Sequence, residues 1–137
     1  MLSGRYRTEA LCRFWLSNSN GLCLLPSCNS LNKKEDIVHL LITCPTLSST
    51  RSRLEDIFKS YAMNNPVIID PISTFLNSSD VLYKTQFILD CSTIPKIIRM
   101  RQILGFYVLE HLFYLTRAWC YSLHRERLRL LGRWNIH

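Results

Sequence analysis

Cys23, Cys28, His39 and Cys44 follow the spacing C-x4-C-x10-H-x4-C. No other feature constrains the fold as much. Zinc takes four ligands at roughly 2.0–2.3 Å, so residues 23–28 and 39–44 must turn toward one point. Four protein ligands leave no open position for water, so the expected metal is structural Zn2+ and not a reagent. The alternative is two buried thiols and an unrelated His/Cys pair. The rest of the chain offers no comparable set of convergent polar groups.

Local signals around the four residues agree with a metal site. Asn32, Lys33, Lys34 and Glu35 form a capping-box pattern, in which Asn32 accepts from free backbone amides and Glu35 reaches back. A short helix should follow to about Thr43, with Ile37, Leu40 and Leu41 inward. On a regular helix, residues five apart differ by roughly 140° in direction, so His39 and Cys44 cannot share a target. Pro45 supplies the remedy. The residue before a proline is driven out of the helical region, so Cys44 should turn back past the helix end.

Elsewhere the pattern is helical. Leu11, Phe14 and Trp15 predict a helix over 5–17, stopped at 18–21 by polar residues and Gly21. Leu47, Leu54, Ile57, Phe58 and Tyr61 predict one over 48–62. Residues 64–71 read as a loop, 72–76 as a short helix and 80–90 as another, broken at 92–95. From Lys96 onward Ile97, Met100, Leu104, Val108, Leu112, Leu115, Trp119 and Leu123 recur every three or four positions. They predict one long spine helix, which Gly105 can bend at a cost of about 1 kcal/mol relative to alanine.

Charge is spread unevenly. The chain has 17 basic and 10 acidic residues, a net charge of +7. By the same count, residues 1–53 carry +4, residues 54–98 carry −2 and residues 99–137 carry +5. Positive charge at both ends favours a polyanion, RNA or DNA, over uniform solubilising charge. Arg5, Arg7, Arg13, Lys33, Lys34, Arg51 and Arg53 are the candidate contacts near the cysteines. Arg117, Arg125, Arg129 and Arg133 fall in register by fours as a second patch, with Arg127 on the adjoining face. Tyr121 or Trp134 could stack on a base. A solvated helix face is the competing reading of this stripe.

Six cysteines without an export signal point to metal ligands and buried thiols, not disulfides. Cys12 and Cys91 read as small core residues. Cys120 and His124 share a helix face and should pack there. The most apolar stretch, 103–115, contains Glu110 and His111 and is too short to span a bilayer of about 30 Å. The expected protein is intracellular, nuclear or cytoplasmic, with no membrane partner. No P-loop, G-x-S-x-G or H-E-x-x-H occurs, and the acidic residues form no set of metal-binding carboxylates. An enzyme is therefore not expected.

Cys23-x4-Cys28 followed by His39-Leu40-Leu41-x2-Cys44-Pro45 resembles the zinc-binding segment near the C-terminus of non-LTR (LINE-like) retrotransposon reverse transcriptases. The run Leu2-Ser3-Gly4-Arg5-Tyr6-Arg7-Thr8-Glu9 is similar to the lead-in helix of such proteins. Trp119-Cys120-Tyr121-x2-His124-Arg125 and Leu130-Leu131-Gly132 are similar to their closing segment. The resemblance implies Cys23, Cys28, His39 and Cys44 as ligands. It also implies an appendage that helps a polymerase hold template RNA or target DNA, and hence the rest of a reverse transcriptase polyprotein as a partner. The polymerase palm and any endonuclease are absent here, so the chain looks like the tail of a larger polyprotein.

The expected fold is mainly α: a small helical domain with a zinc knuckle near its N-terminus and a long C-terminal helix. Its parts are a knuckle region with flanking helices (1–63), a connecting stretch (64–95) and a basic helix (96–137). The expected function is non-catalytic nucleic-acid binding. The alternatives are a protein-interaction module docking through the apolar C-terminal helix, on a polymerase or on itself, and a retroelement remnant without selected function.

Overall fold

A computed structural model describes residues 23–25, 28 and 36–132. The helix expected over 5–17, the capping box at 32–35 and Cys12 lie outside the described residues. So do Trp134 and the candidate contacts Arg5, Arg7, Arg13, Lys33, Lys34 and Arg133.

All regular structure among the described residues is helical, as the apolar periodicity predicts. A π-helical turn, His39–Thr43, is followed by a 3-10 turn at Pro45–Leu47 and then by α1 (Ser48–Asn64). Next come α2 (Ile69–Asn77), α3 (Val81–Asp90), α4 (Pro95–Leu104) and the long α5 (Tyr107–Leu130). Short 3-10 turns at Pro66–Ile68 and Cys91–Thr93 lead into α2 and α4. Pro45, Pro66 and Pro95 each open a helical segment. Their fixed φ and missing N–H suit the first helical position.

The loop predicted at 64–71 is largely helical. Helix α2 begins at Ile69 and carries Pro71 in its first turn. There a proline costs little, because the first-turn amides have no partner within the helix. Helix α3 sits where the sequence predicts it. The Asp80 carboxylate caps it, accepting from the backbone N–H groups of Leu82 and Tyr83 at 3.0 and 3.1 Å.

The helix predicted from Lys96 onward is two helices. Gly105 has φ 86° and ψ −177°, a backbone state closed to residues with a Cβ. It ends α4 outright. The periodic stripe survives on both sides: Ile97, Val108, Leu112, Leu115, Trp119 and Leu123 are buried, and Met100 is partly so. Leu104 is exposed, because the break turns it away from the packed face. At the other end Gly132, with φ 75°, terminates α5 and donates its N–H to the Arg129 carbonyl at 3.1 Å.

Helix α5 packs against α1, α3, α4 and the π turn, and so forms the spine. Four helices each give one fully buried ring to the centre: Phe58, Phe75, Phe87 and Trp119. Phe75 stacks on Phe87 at 4.7 Å and meets Trp119 edge-on at 5.4 Å. Phe58 lies 5.3 Å from Trp119. Offset and edge-on pairs of this kind add about 0.5–1.5 kcal/mol each beyond their burial. Cys91 and Cys120 are buried in the same core. Among the described residues no helix is long and apolar enough to cross a membrane.

Candidate metal centre and basic cleft

Asp36 starts the segment that carries His39 and Cys44, two of the candidate metal ligands. Its Oδ1 accepts the backbone N–H of His39 at 2.8 Å, the bond a helix-capping carboxylate makes. The chain then winds more widely than an α-helix. The N–H of Cys44 reaches back five residues to the carbonyl of His39 at 2.8 Å. Cys44 itself is extended, with φ −62° and ψ 116°, as the residue before Pro45 should be. Two devices therefore act together. The proline takes Cys44 out of the helix, and the π turn brings it back over His39. Single π turns are rare and favour functional sites.

The turn is also held from the helical body. The indole N–H of Trp119 donates to the Leu41 carbonyl at 3.0 Å. This bond ties the turn to α5.

Cys23, Cys28, His39 and Cys44 come together as the spacing predicts. One donor atom from each lies within 4.8 Å of all the others, and all four residues are buried. Cys28 Sγ is 3.4 Å from His39 Nε2 and 3.8 Å from Cys44 Sγ, and Cys23 Sγ is 4.0 Å from Cys44 Sγ. A tetrahedron with metal–ligand bonds of 2.0–2.3 Å has edges of roughly 3.3–3.8 Å. The donor set fits a tetrahedral cation with small adjustments. The other imidazole nitrogen, Nδ1, faces the Thr43 hydroxyl at 3.4 Å. With Nδ1 protonated and donating to Thr43, the Nε2 lone pair is directed at the cluster, the usual outer support of a ligating histidine.

Burial pushes the Cys23 thiol up to about 12, and Cys44 beside it adds to the effect. The Cys23 thiol therefore resists ionisation on its own. A cation reverses that balance, because the thiolate is the ligand form.

Arg51, in the first turns of α1, also serves this centre. Its Nη2 donates to the Cys44 carbonyl at 2.6 Å. Its Nη1 is buried with no hydrogen-bond partner among the described residues. Burial lowers its pKa from the ordinary value, and the charges of Cys44 and Glu55 oppose that. Arg51 is thus turned inward and drops out of the candidate nucleic-acid contacts, where the charge pattern alone had put it.

Arg53 takes the opposite direction. With Arg125 and Arg129 of α5, and with Ser122 and Glu126, it lines an open cleft of about 310 Å³. The Arg129 guanidinium donates to both Glu126 oxygens. Those hydrogen bonds hold the Glu126 carboxyl below its usual range, and the Arg53 charge adds to the effect. Arg117 is exposed on α5 but sits over the Phe113 ring at 5.9 Å, away from the cleft set. Arg127, read from the sequence as part of the basic face, is buried at 3% exposure.

Sequence reasoning missed Thr43, Asp36 and Ser122. A signal existed for Thr43, which stands four residues after His39. Ser122 carries none, since its place in the cleft depends on how α1 meets α5.

No family model matches the chain, and no curated protein or solved structure matches it either.

Proposed function

We propose that this chain is a zinc-stapled helical module that binds nucleic acid and performs no chemistry of its own. The observation that carries this reading is the cleft. Arg53, from the end of the molecule next to the metal ligands, and Arg125 and Arg129, from the C-terminal helix, face one space. The charge distribution predicts such a meeting only if the two basic ends share a partner. A phosphate backbone suits Arg53 and Arg125 with the Ser122 hydroxyl, beside an Arg129 held by Glu126, because each cation placed against it releases condensed counterions. Zinc suits the staple: three soft thiolates and one imidazole in a closed tetrahedral set are a structural zinc environment. The resemblance to retroelement reverse transcriptases supports an intracellular appendage that helps a polymerase grip template RNA or target DNA.

Fluorescence anisotropy of labelled single-stranded RNA and duplex DNA, titrated with zinc-loaded protein across a salt series, tests this. Two phosphate contacts predict a slope of log affinity against log salt of about −1.4 to −1.8. Replacing Arg53 and Arg125 together with glutamine should flatten it by roughly one per arginine. Binding that ignores salt, or that the double variant leaves unchanged, defeats the reading.

A second reading rests on the corner between α4 and α5. Ile103, Leu104, Phe106 and Tyr107 are exposed there in succession, Ile103 by 81%. Contiguous exposed apolar groups mark association surfaces, which fits docking on a polymerase body or self-association. Sedimentation of wild type and of Ile103→Asp/Phe106→Asp distinguishes a self-associating corner from a monomer.

A further inference from the structure

We infer that Arg51 is the outer-sphere counter-charge of the metal centre, a positioning residue that neutralises the loaded cluster and ties it to α1. The inference rests on the metal reading above and adds a residue that the ligand spacing does not include.

Charge comes first. A divalent cation held by three thiolates and a neutral imidazole carries one net negative charge. The four ligands are buried, and an uncompensated charge in such a place is costly. Arg51 brings one positive charge to the site. Lysine would be a weaker solution, since the guanidinium is a planar fork that can make two directed contacts at once.

Geometry comes second. One prong of the fork is already committed: Nη2 donates to the Cys44 carbonyl at 2.6 Å. The other prong, Nη1, is buried and has no hydrogen-bond acceptor, sulfur included, among the described residues. A buried donor left in that state costs about 1–3 kcal/mol. The Arg51 charge acts on the Cys44 sulfur through space and not by a direct bond. Anchored on the ligand's own backbone, the guanidinium cannot drift far from the sulfurs. It also holds Cys44 in the extended state that Pro45 imposes.

The fold adds a consequence. Arg51 and Arg53 are two residues apart on α1, so their side chains leave the helix in nearly opposite directions. One reaches the metal centre and the other the basic cleft. The same helical turn therefore fixes both.

Cobalt(II) serves as the probe, measured by chelator competition and by absorption on wild type, Arg51→Gln and Arg51→Lys. Wild type should bind one Co2+ with an intense tetrahedral d–d band and sulfur-to-cobalt charge-transfer bands. Arg51→Gln should weaken binding by about ten- to hundredfold, the usual loss on removing an outer-sphere partner. Its d–d band should stay tetrahedral while its charge-transfer bands move to lower energy, as the thiolates lose a nearby positive charge. A residue that only helps the chain fold would not move those bands. Arg51→Lys, which keeps the charge, should recover most of the affinity. If Arg51→Gln does not fold, Arg51→Lys carries the test through a smaller shift in the same direction. Wild-type affinity with unshifted bands in the folded variant overturns the role of Arg51 and leaves the metal site standing. Failure of wild type to bind stoichiometric Co2+ overturns the metal reading itself.

Discussion

The two ends of the described fold are held together by different physics. Around residues 36–47 the backbone is irregular: a π turn, an extended cysteine and a 3-10 turn. What organises it is a convergence of sulfur and nitrogen atoms, with Asp36, Thr43 and Arg51 around them. The body from α1 to α5 is regular helix around four buried rings. Its order comes from apolar area, which is non-directional and tolerant. The metal end depends on a few atoms at set distances, so small chemical changes should undo it. The body should yield only to loss of volume.

Removing a ligand should have the largest effect. Cys28→Ser replaces the sulfur that faces both His39 and Cys44, and should lower metal affinity more than about a hundredfold; structural zinc sites hold their ion with about 10–16 kcal/mol. Cys91→Ser, at a buried thiol outside the cluster, should keep full metal content by elemental analysis. Chelation followed by amide hydrogen exchange sharpens the contrast. Residues 36–47 should lose protection while α5 keeps it. One concerted loss across both regions would show that they are not separate units.

Phe75→Ala makes the opposite cut. Phe75 touches the other three central rings. Its truncation should cost about 3–5 kcal/mol by denaturant titration, with metal stoichiometry retained under folding conditions. Lost stoichiometry in the folded variant would show that the body sets the site's geometry more tightly than this division allows.

Trp119→Phe tests the joint between the regions. It keeps a ring in the core but removes the N–H bonded to Leu41. The expected loss is about 0.5–1.5 kcal/mol, the net worth of one hydrogen bond. Weaker metal binding should accompany it. Unchanged binding would mean that the π turn stands without the indole.

Acid should touch the body by a separate route. Burial lowers the pKa of His124 to about 4, helped by the nearby Arg127 charge. The unfolded chain takes up this proton near its ordinary pKa of 6.5, and the folded chain does so only near 4. Stability from this group is therefore complete above about pH 6.5 and lost as pH falls toward 4. With partial exposure discounted, the loss is on the order of 1–2 kcal/mol. Thermal melts of wild type and His124→Gln over that window should converge as the pH falls. Parallel curves would assign acid sensitivity to the metal end alone.

Much of this arrangement is readable from the chain. The convergence of Cys23, Cys28, His39 and Cys44, the break at Pro45 and the buried stripe along α5 follow from spacing, torsional limits and side-chain period, which act within a few residues. The π turn was not readable. Its widened bond from Cys44 to His39 depends on where the other two thiols stand. The split at Gly105 was visible only as a bend, because a glycine permits a break without requiring one.

By itself the sequence determined which atoms can hold a metal, where helices start and stop, and which face of each is apolar. Only the tertiary structure decided where individual charges go. Arg51 turns to the cysteines, Arg53 to the cleft with Arg125 and Arg129, and Arg127 into the interior. These arginines are alike in sequence terms, each on an amphipathic helix near other charges. A long cation's destination is set by the helix packed opposite it, and that neighbour comes from distant parts of the chain.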